Sequence, residues 1–134
     1  MTAVRATFWI GALFDALVAV GMLHPPLLAA ALGVSPAPTA VDARAALAMA
    51  AALMVGWTAL LLWGSLRPVE RRGVLVLTVC PVIVGLALAT LYAAWERYVP
   101  LSGAAGVWAS QLLLAAIFLS GYRRASRLER RAAA

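Results

Sequence analysis

Charge is scarce in this chain. Only 12% of its 134 residues are charged, about half the share usual in soluble globular proteins. So little charge cannot clothe a surface against water. Lysine is absent, and all eleven basic residues are arginines. They flank apolar runs and form no continuous basic face, which argues against the nucleic-acid partner that a pI near 11.1 would otherwise suggest. Cysteine occurs once, at Cys80, so no internal disulfide can form, and no metal-ligand cluster accompanies it. Its place inside an apolar run predicts a buried structural thiol. A glycine-rich phosphate loop, a nucleophile elbow, paired histidine ligands and a Cys-x-x-Cys motif are all missing. Of the five acidic residues, Asp15 alone lies deep in an apolar run. No catalytic residue, metal or cofactor is expected, because an acid–base mechanism at Asp15 lacks a convincing second group.

What is present is apolar. Hydrophobic residues make up 65% of the chain, against about 45–50% in soluble proteins. A soluble core of this size could not hide that much apolar surface, so the predicted solvent is lipid. Four runs, at about 6–23, 45–66, 73–95 and 104–122, each approach the roughly 20 residues that a membrane-crossing helix needs. The third opens with β-branched residues (Val74, Val76, Val79, Val82, Ile83 and Val84) that would suit a strand in water. A lone strand in lipid leaves its backbone unpaired, so helix is predicted there as well. Pro81 should kink that helix and free a carbonyl about one turn earlier, with the Thr78 hydroxyl a partial substitute. The fold class is all-α: an integral membrane four-helix bundle, built as a single domain over 1–134.

The first connection is the longest. His24 at its start reads as an interfacial residue. PPLLAAALG opens on Pro25 and Pro26 and closes on Gly33, the pattern of a short helix, here one lying along the membrane interface. Asp42 is placed to cap the next helix. A cleaved signal peptide ending near Ala29–Ala31 is the competing reading of the first run; the length of that run, its acid and the two prolines that follow oppose it.

Orientation follows from arginine. With the N-terminus inside, nine arginines fall on the inner side and only Arg44 and Arg97 on the outer. By the positive-inside rule both termini are cytoplasmic, with residues 123–134 forming a basic tail that continues as a short helix on an anionic surface. Trp9, Trp63 and Tyr122 fall near the inner boundary, and Tyr92, Trp95, Tyr98 and Trp108 near the outer, as an aromatic belt requires. Trp57 falls outside both belts, in mid-membrane. Asp42 and Glu96 share the outer side, where ion pairs with Arg44 and Arg97 are the simpler expectation.

Asp15 lies nine residues into its run, about 14 Å deep and close to the midplane of a core about 30 Å thick. An unpaired carboxylate there costs roughly 2.5–3.5 kcal/mol. Gly11, Ala12, Asp15, Ala16 and Ala19 form a small-residue stripe at helical spacing, which turns Asp15 toward the other helices. Trp57, Thr58 and Gln111 are the candidate neighbours at similar depth. Two readings stand. In one, Asp15 is a protonated structural residue bonded to Gln111, Thr58 or a carbonyl. In the other, Asp15, Trp57, Gln111 and Thr58 line a ligand or proton site, where the indole can stack on a cation or a flat ring.

The opening RATFWIGALFDALVAVGMLHPPLLAAALG and the turn WGSLRPVERRGVL together resemble the DoxX-like group of small bacterial four-helix membrane proteins. The resemblance covers the layout of much of the chain and carries over no functional residue. It implies a multi-pass protein of the bacterial inner membrane, sometimes an accessory to quinone-linked sulfur oxidation. The architecture is also similar to the small multidrug resistance exporters, which place an acid in the first of four helices; the long first connection and the strong arginine bias depart from that pattern.

Two functions are therefore expected candidates. One is a non-enzymatic binding or accessory subunit that holds an apolar, quinone-like or cationic molecule, or a partner membrane subunit. The other is a proton-coupled transporter of a small solute, working as a homo-oligomer, with Asp15 exchanging proton for substrate. Protease or labelling maps are expected to place the Arg67–Arg72 turn on the cytoplasmic side; a map placing it outside would overturn the orientation.

Overall fold

The computed structural model describes residues 2–133, and no strand occurs among them. Met1 and Ala134, the extremities of the predicted domain and tail, lie outside the described residues. The elements are α1 (Thr2–Leu23), α2 (Pro25–Leu32), α3 (Val41–Leu66), α4 (Gly73–Leu77), a π-helical turn (Thr78–Ile83), α5 (Val84–Trp95) and α6 (Leu101–Ala133). With α4, the π turn and α5 counted as one third span, four helices are long and apolar enough to cross a membrane.

Several boundaries differ from the sequence expectation. α1 starts at Thr2 rather than Ala6, and α3 at Val41 rather than Ala45. Asp42 therefore lies inside the first turn of α3, and its carboxylate accepts from the Ala43 N–H at 2.9 Å instead of capping from outside. The tail is no separate helix: α6 runs unbroken from Leu101 through the arginines. α2 begins with two prolines and ends at Gly33, whose φ of 67° places it in the left-handed region that glycine tolerates.

Pro81 sits within a π-helical turn. Adding one residue to a turn is a recognised way for a helix to absorb a missing backbone donor. The Thr78 hydroxyl donates to the Val74 carbonyl at 2.8 Å, not to the carbonyl that Pro81 frees. Cys80 is exposed, contrary to the buried thiol expected; Thr78 takes the buried position at this level instead.

Close packing concentrates at the end of the molecule that holds both termini. α1 lies against α3 and α6, and α6 also meets the third span and α2. α1 buries Val4, Thr7, Phe8, Gly11, Ala12, Asp15 and Ala19, a three-and-four spacing that keeps one face inward. Aromatic rings fill spaces that glycines leave. A Cβ on Gly64 would stand 2.5 Å from Phe8, and one on Gly11 2.5 Å from Phe118. A Cβ on Gly121 would stand 2.8 Å from Thr7, and one on Gly103 would collide with the Leu32 carbonyl oxygen. Without such space the backbones could not approach, and in lipid close approach is the main source of helix attraction. The opposite end is looser: α5 buries no residue, and α3 buries none before Ala51.

The accessible surface is 8488 Å², against about 6,700 Å² for a soluble monomer of this mass. Leu13, Leu53, Leu88, Leu112 and Trp95 are among the large side chains left more than half exposed. In water this surface would be an aggregation hazard; in hydrocarbon it carries no penalty.

Gly64→Val is expected to drive a side chain into Phe8 and to cost about 1–3 kcal/mol, measured as a lowered unfolding midpoint in detergent. Gly56→Ala, where a Cβ would meet nothing within 4 Å, should be neutral or stabilising by up to about 1 kcal/mol.

Candidate functional site

The register of the packed helices sets the level of each candidate residue. Gly11 meets Leu61, and Gly64 meets Phe8. Both crossings pair α1 with an antiparallel α3, and the same register puts Asp15 level with Trp57. Gly11 also meets Phe118, and Gly121 meets Thr7, so α6 is antiparallel to α1 too. That register puts Asp15 level with Leu113 and Leu114, roughly 3–5 Å along the axis from Gln111. Asp15, Trp57 and Gln111 thus occupy one layer of the fold, on three different helices.

Two members of the layer carry unmet hydrogen-bonding capacity. Asp15 is 9% exposed and Gln111 is 7% exposed. Asp15 Oδ2 and Gln111 Oε1 are both buried and both without a hydrogen-bond partner. The expected bond between the two side chains is therefore not made. Most buried polar groups in native proteins are paired, and an unpaired one costs about 1–3 kcal/mol. Both oxygens can accept a hydrogen bond from a donor brought to this layer.

Trp57 is half-buried beside the core. Its indole N–H donates to the Thr78 hydroxyl at 3.1 Å, and that hydroxyl in turn donates to the Val74 carbonyl at 2.8 Å. This chain fixes the indole and ties α3 to the third span at its π turn. The polar edge of Trp57 is thus occupied, leaving the ring for stacking. The sequence offers Thr78 as a helper to Pro81. Its pairing with Trp57 joins residues 21 apart, and no local spacing signals it.

Thr58 shares this level but faces a different groove. Its hydroxyl donates to the Met54 carbonyl at 2.9 Å. Its side chain lines a shallow groove of about 380 Å³ with Trp9, Ile10, Ala12, Leu13, Ala16 and Leu62. That groove is apolar and includes none of Asp15, Trp57 and Gln111.

Most of the remaining charges gather where the termini lie, with Asp42, Arg44, Glu96 and Arg97 at the other end. Arg72 and Glu129 form a two-pronged pair at 2.6 and 2.7 Å, and Arg67 pairs with Glu70 at 3.3 Å. Arg5 donates to the Ser65 carbonyl at 3.0 Å, and Arg71 lies 3.6 Å over the Trp63 ring. Among the described residues Asp42 and Glu96 form no ion pair, so the expected pairs with Arg44 and Arg97 are not made. No group of three or more His, Cys, Asp or Glu among the described residues could hold a metal.

No family model matches the chain, and no curated protein and no solved structure matches it.

A double-mutant cycle over Trp57→Phe and Thr78→Val is expected to give a coupling of about 0.5–1.5 kcal/mol in detergent unfolding. Additive effects would mean that the bond contributes nothing.

Proposed function

We propose that the chain is a non-enzymatic, multi-pass membrane protein that binds a small molecule or a partner helix in the layer of Asp15, Gln111 and Trp57. In this reading the four spans form a bundle with both termini cytoplasmic, α2 lies along the opposite interface, and the membrane is a bacterial inner membrane. The arginine asymmetry supports the orientation, and the DoxX-like layout supports an accessory role.

The observation that carries the reading is the pair of buried oxygens, Asp15 Oδ2 and Gln111 Oε1, that accept from nothing. Both are acceptors, so they favour an occupant that donates: an amine, an amide, a hydroxyl or a quinol. A quinone, whose carbonyls only accept, would fit only with Asp15 protonated. The body of the occupant would stack on the indole of Trp57. The loose half of the fold, where α5 buries nothing, favours entry from the lipid phase. Proton-coupled transport by an oligomer is the second reading, favoured by Asp15 being, among the described residues, the one acid buried within a span.

Asp15→Asn keeps the shape of the side chain and removes its acid. Native mass spectrometry of the full chain, extracted in mild detergent, should show a bound small molecule whose occupancy the variant lowers by about tenfold or more. Loss of pH-dependent uptake in vesicles, with the fold intact, would favour transport. A variant that is more stable, with an unchanged mass spectrum and unchanged uptake, would make Asp15 a structural residue and end the binding reading.

A further inference from the structure

A second feature lies at the opposite extreme of polarity, at the end where the termini meet. Arg124, Arg127 and Arg131 line a groove of about 280 Å³ whose other walls are Ala3, Val4 and Leu128. The three arginines follow the spacing that keeps side chains on one side of a helix. The groove is amphipathic: its guanidinium groups lie beside the small apolar residues of α1 and beside Leu128.

Three observations distinguish this groove from a merely basic tail. The helix that carries it is anchored, because Ala125 is fully buried and Leu128 packs on the core. The one acid of the tail, Glu129, is held by both prongs of Arg72, so it does not neutralise the groove. Arg124, Arg127 and Arg131 form no ion pair among the described residues, and the first turn of α1 carries no acid. Like charges have thus been gathered on a fixed scaffold with no counter-charge supplied by the described residues.

Depth indicates what supplies it. α6 has 33 residues and is about 50 Å long, against a hydrocarbon core of about 30 Å. If its span ends near Tyr122, Arg124 and Arg127 stand roughly 3 and 8 Å beyond the hydrocarbon, within the headgroup layer. Arginine suits this place, because its planar fork grips phosphate oxygens two at a time.

We propose that this groove is a binding site for the headgroup phosphate of an anionic phospholipid, held by Arg124, Arg127 and Arg131. This inference is independent of the Asp15 layer, and either can fail without the other.

The test uses the full chain in detergent, titrated with phosphatidylglycerol or phosphatidylcholine and read by native mass spectrometry. The unaltered protein is expected to retain phosphatidylglycerol at least about tenfold better. The pair Arg124→Gln and Arg127→Gln should weaken that retention roughly thirtyfold. Arg123→Gln with Arg130→Gln removes the same charge outside the groove and should weaken it by less than about threefold. Equal losses in the two double variants would overturn the site in favour of diffuse attraction. Equal retention of the two lipids by the unaltered protein would overturn it even if no variant folds. Displacement of the lipid by inorganic phosphate at matched concentration would make the groove a soluble-anion site and overturn the lipid assignment.

Discussion

Helices dissolved in hydrocarbon gain little by hiding apolar surface from one another, so they hold together where their backbones can come close. In this chain that condition is met at a few glycines. Gly64 admits Phe8, Gly11 admits Phe118, and Gly121 admits Thr7. These contacts set the antiparallel registers of α3 and α6 on α1, and the registers bring Asp15, Trp57 and Gln111 to one level. Even the uneven firmness of the fold follows. The half nearest the termini owns the ring-into-glycine contacts, and in the other half α5 buries none of its residues.

Two polar systems are laid over this frame, and they differ in how completely they are satisfied. The Trp57–Thr78–Val74 chain is closed at each step, and Arg72 with Glu129 is closed at both prongs. These tie α3 and the tail to the third span. The Asp15–Gln111 pair stays open, and Arg124, Arg127 and Arg131 form no ion pair among the described residues. Closed polar contacts make structure, and open ones in fixed positions are where a ligand gains most. In the proposed reading the two open places have opposite demands: one lacks a donor at mid-span, the other an anion near the chain ends.

The existence of the four long helices was legible in the sequence because lipid leaves a spanning backbone few choices. The short helix closed by Gly33 was legible because its punctuation is local. The inward direction of Asp15 was legible too, from the small residues spaced around it. Burial elsewhere was not. In water, apolar means inside; in lipid, apolar residues serve both faces, and Cys80 turned out exposed while Thr78 took the buried position. Contacts between distant segments were equally hidden. Arg72 and Glu129 are 57 residues apart, and neither shows its partner in its own surroundings. Thr58 misled because depth alone put it with Asp15, whereas its position around the helix axis turns it to a different groove.

The π turn around Pro81 divides the third span between two neighbours. At its first residue, Thr78 receives Trp57 from α3. Beyond it, the carbonyl of Ala87 receives the indole N–H of Trp108 from α6 at 3.3 Å. An extra residue in one turn advances the helical phase, so a single rod can present its working side first to one companion and then to another. The span is thus held to a different companion on each side of Pro81, to α3 through Thr78 and to α6 through Ala87.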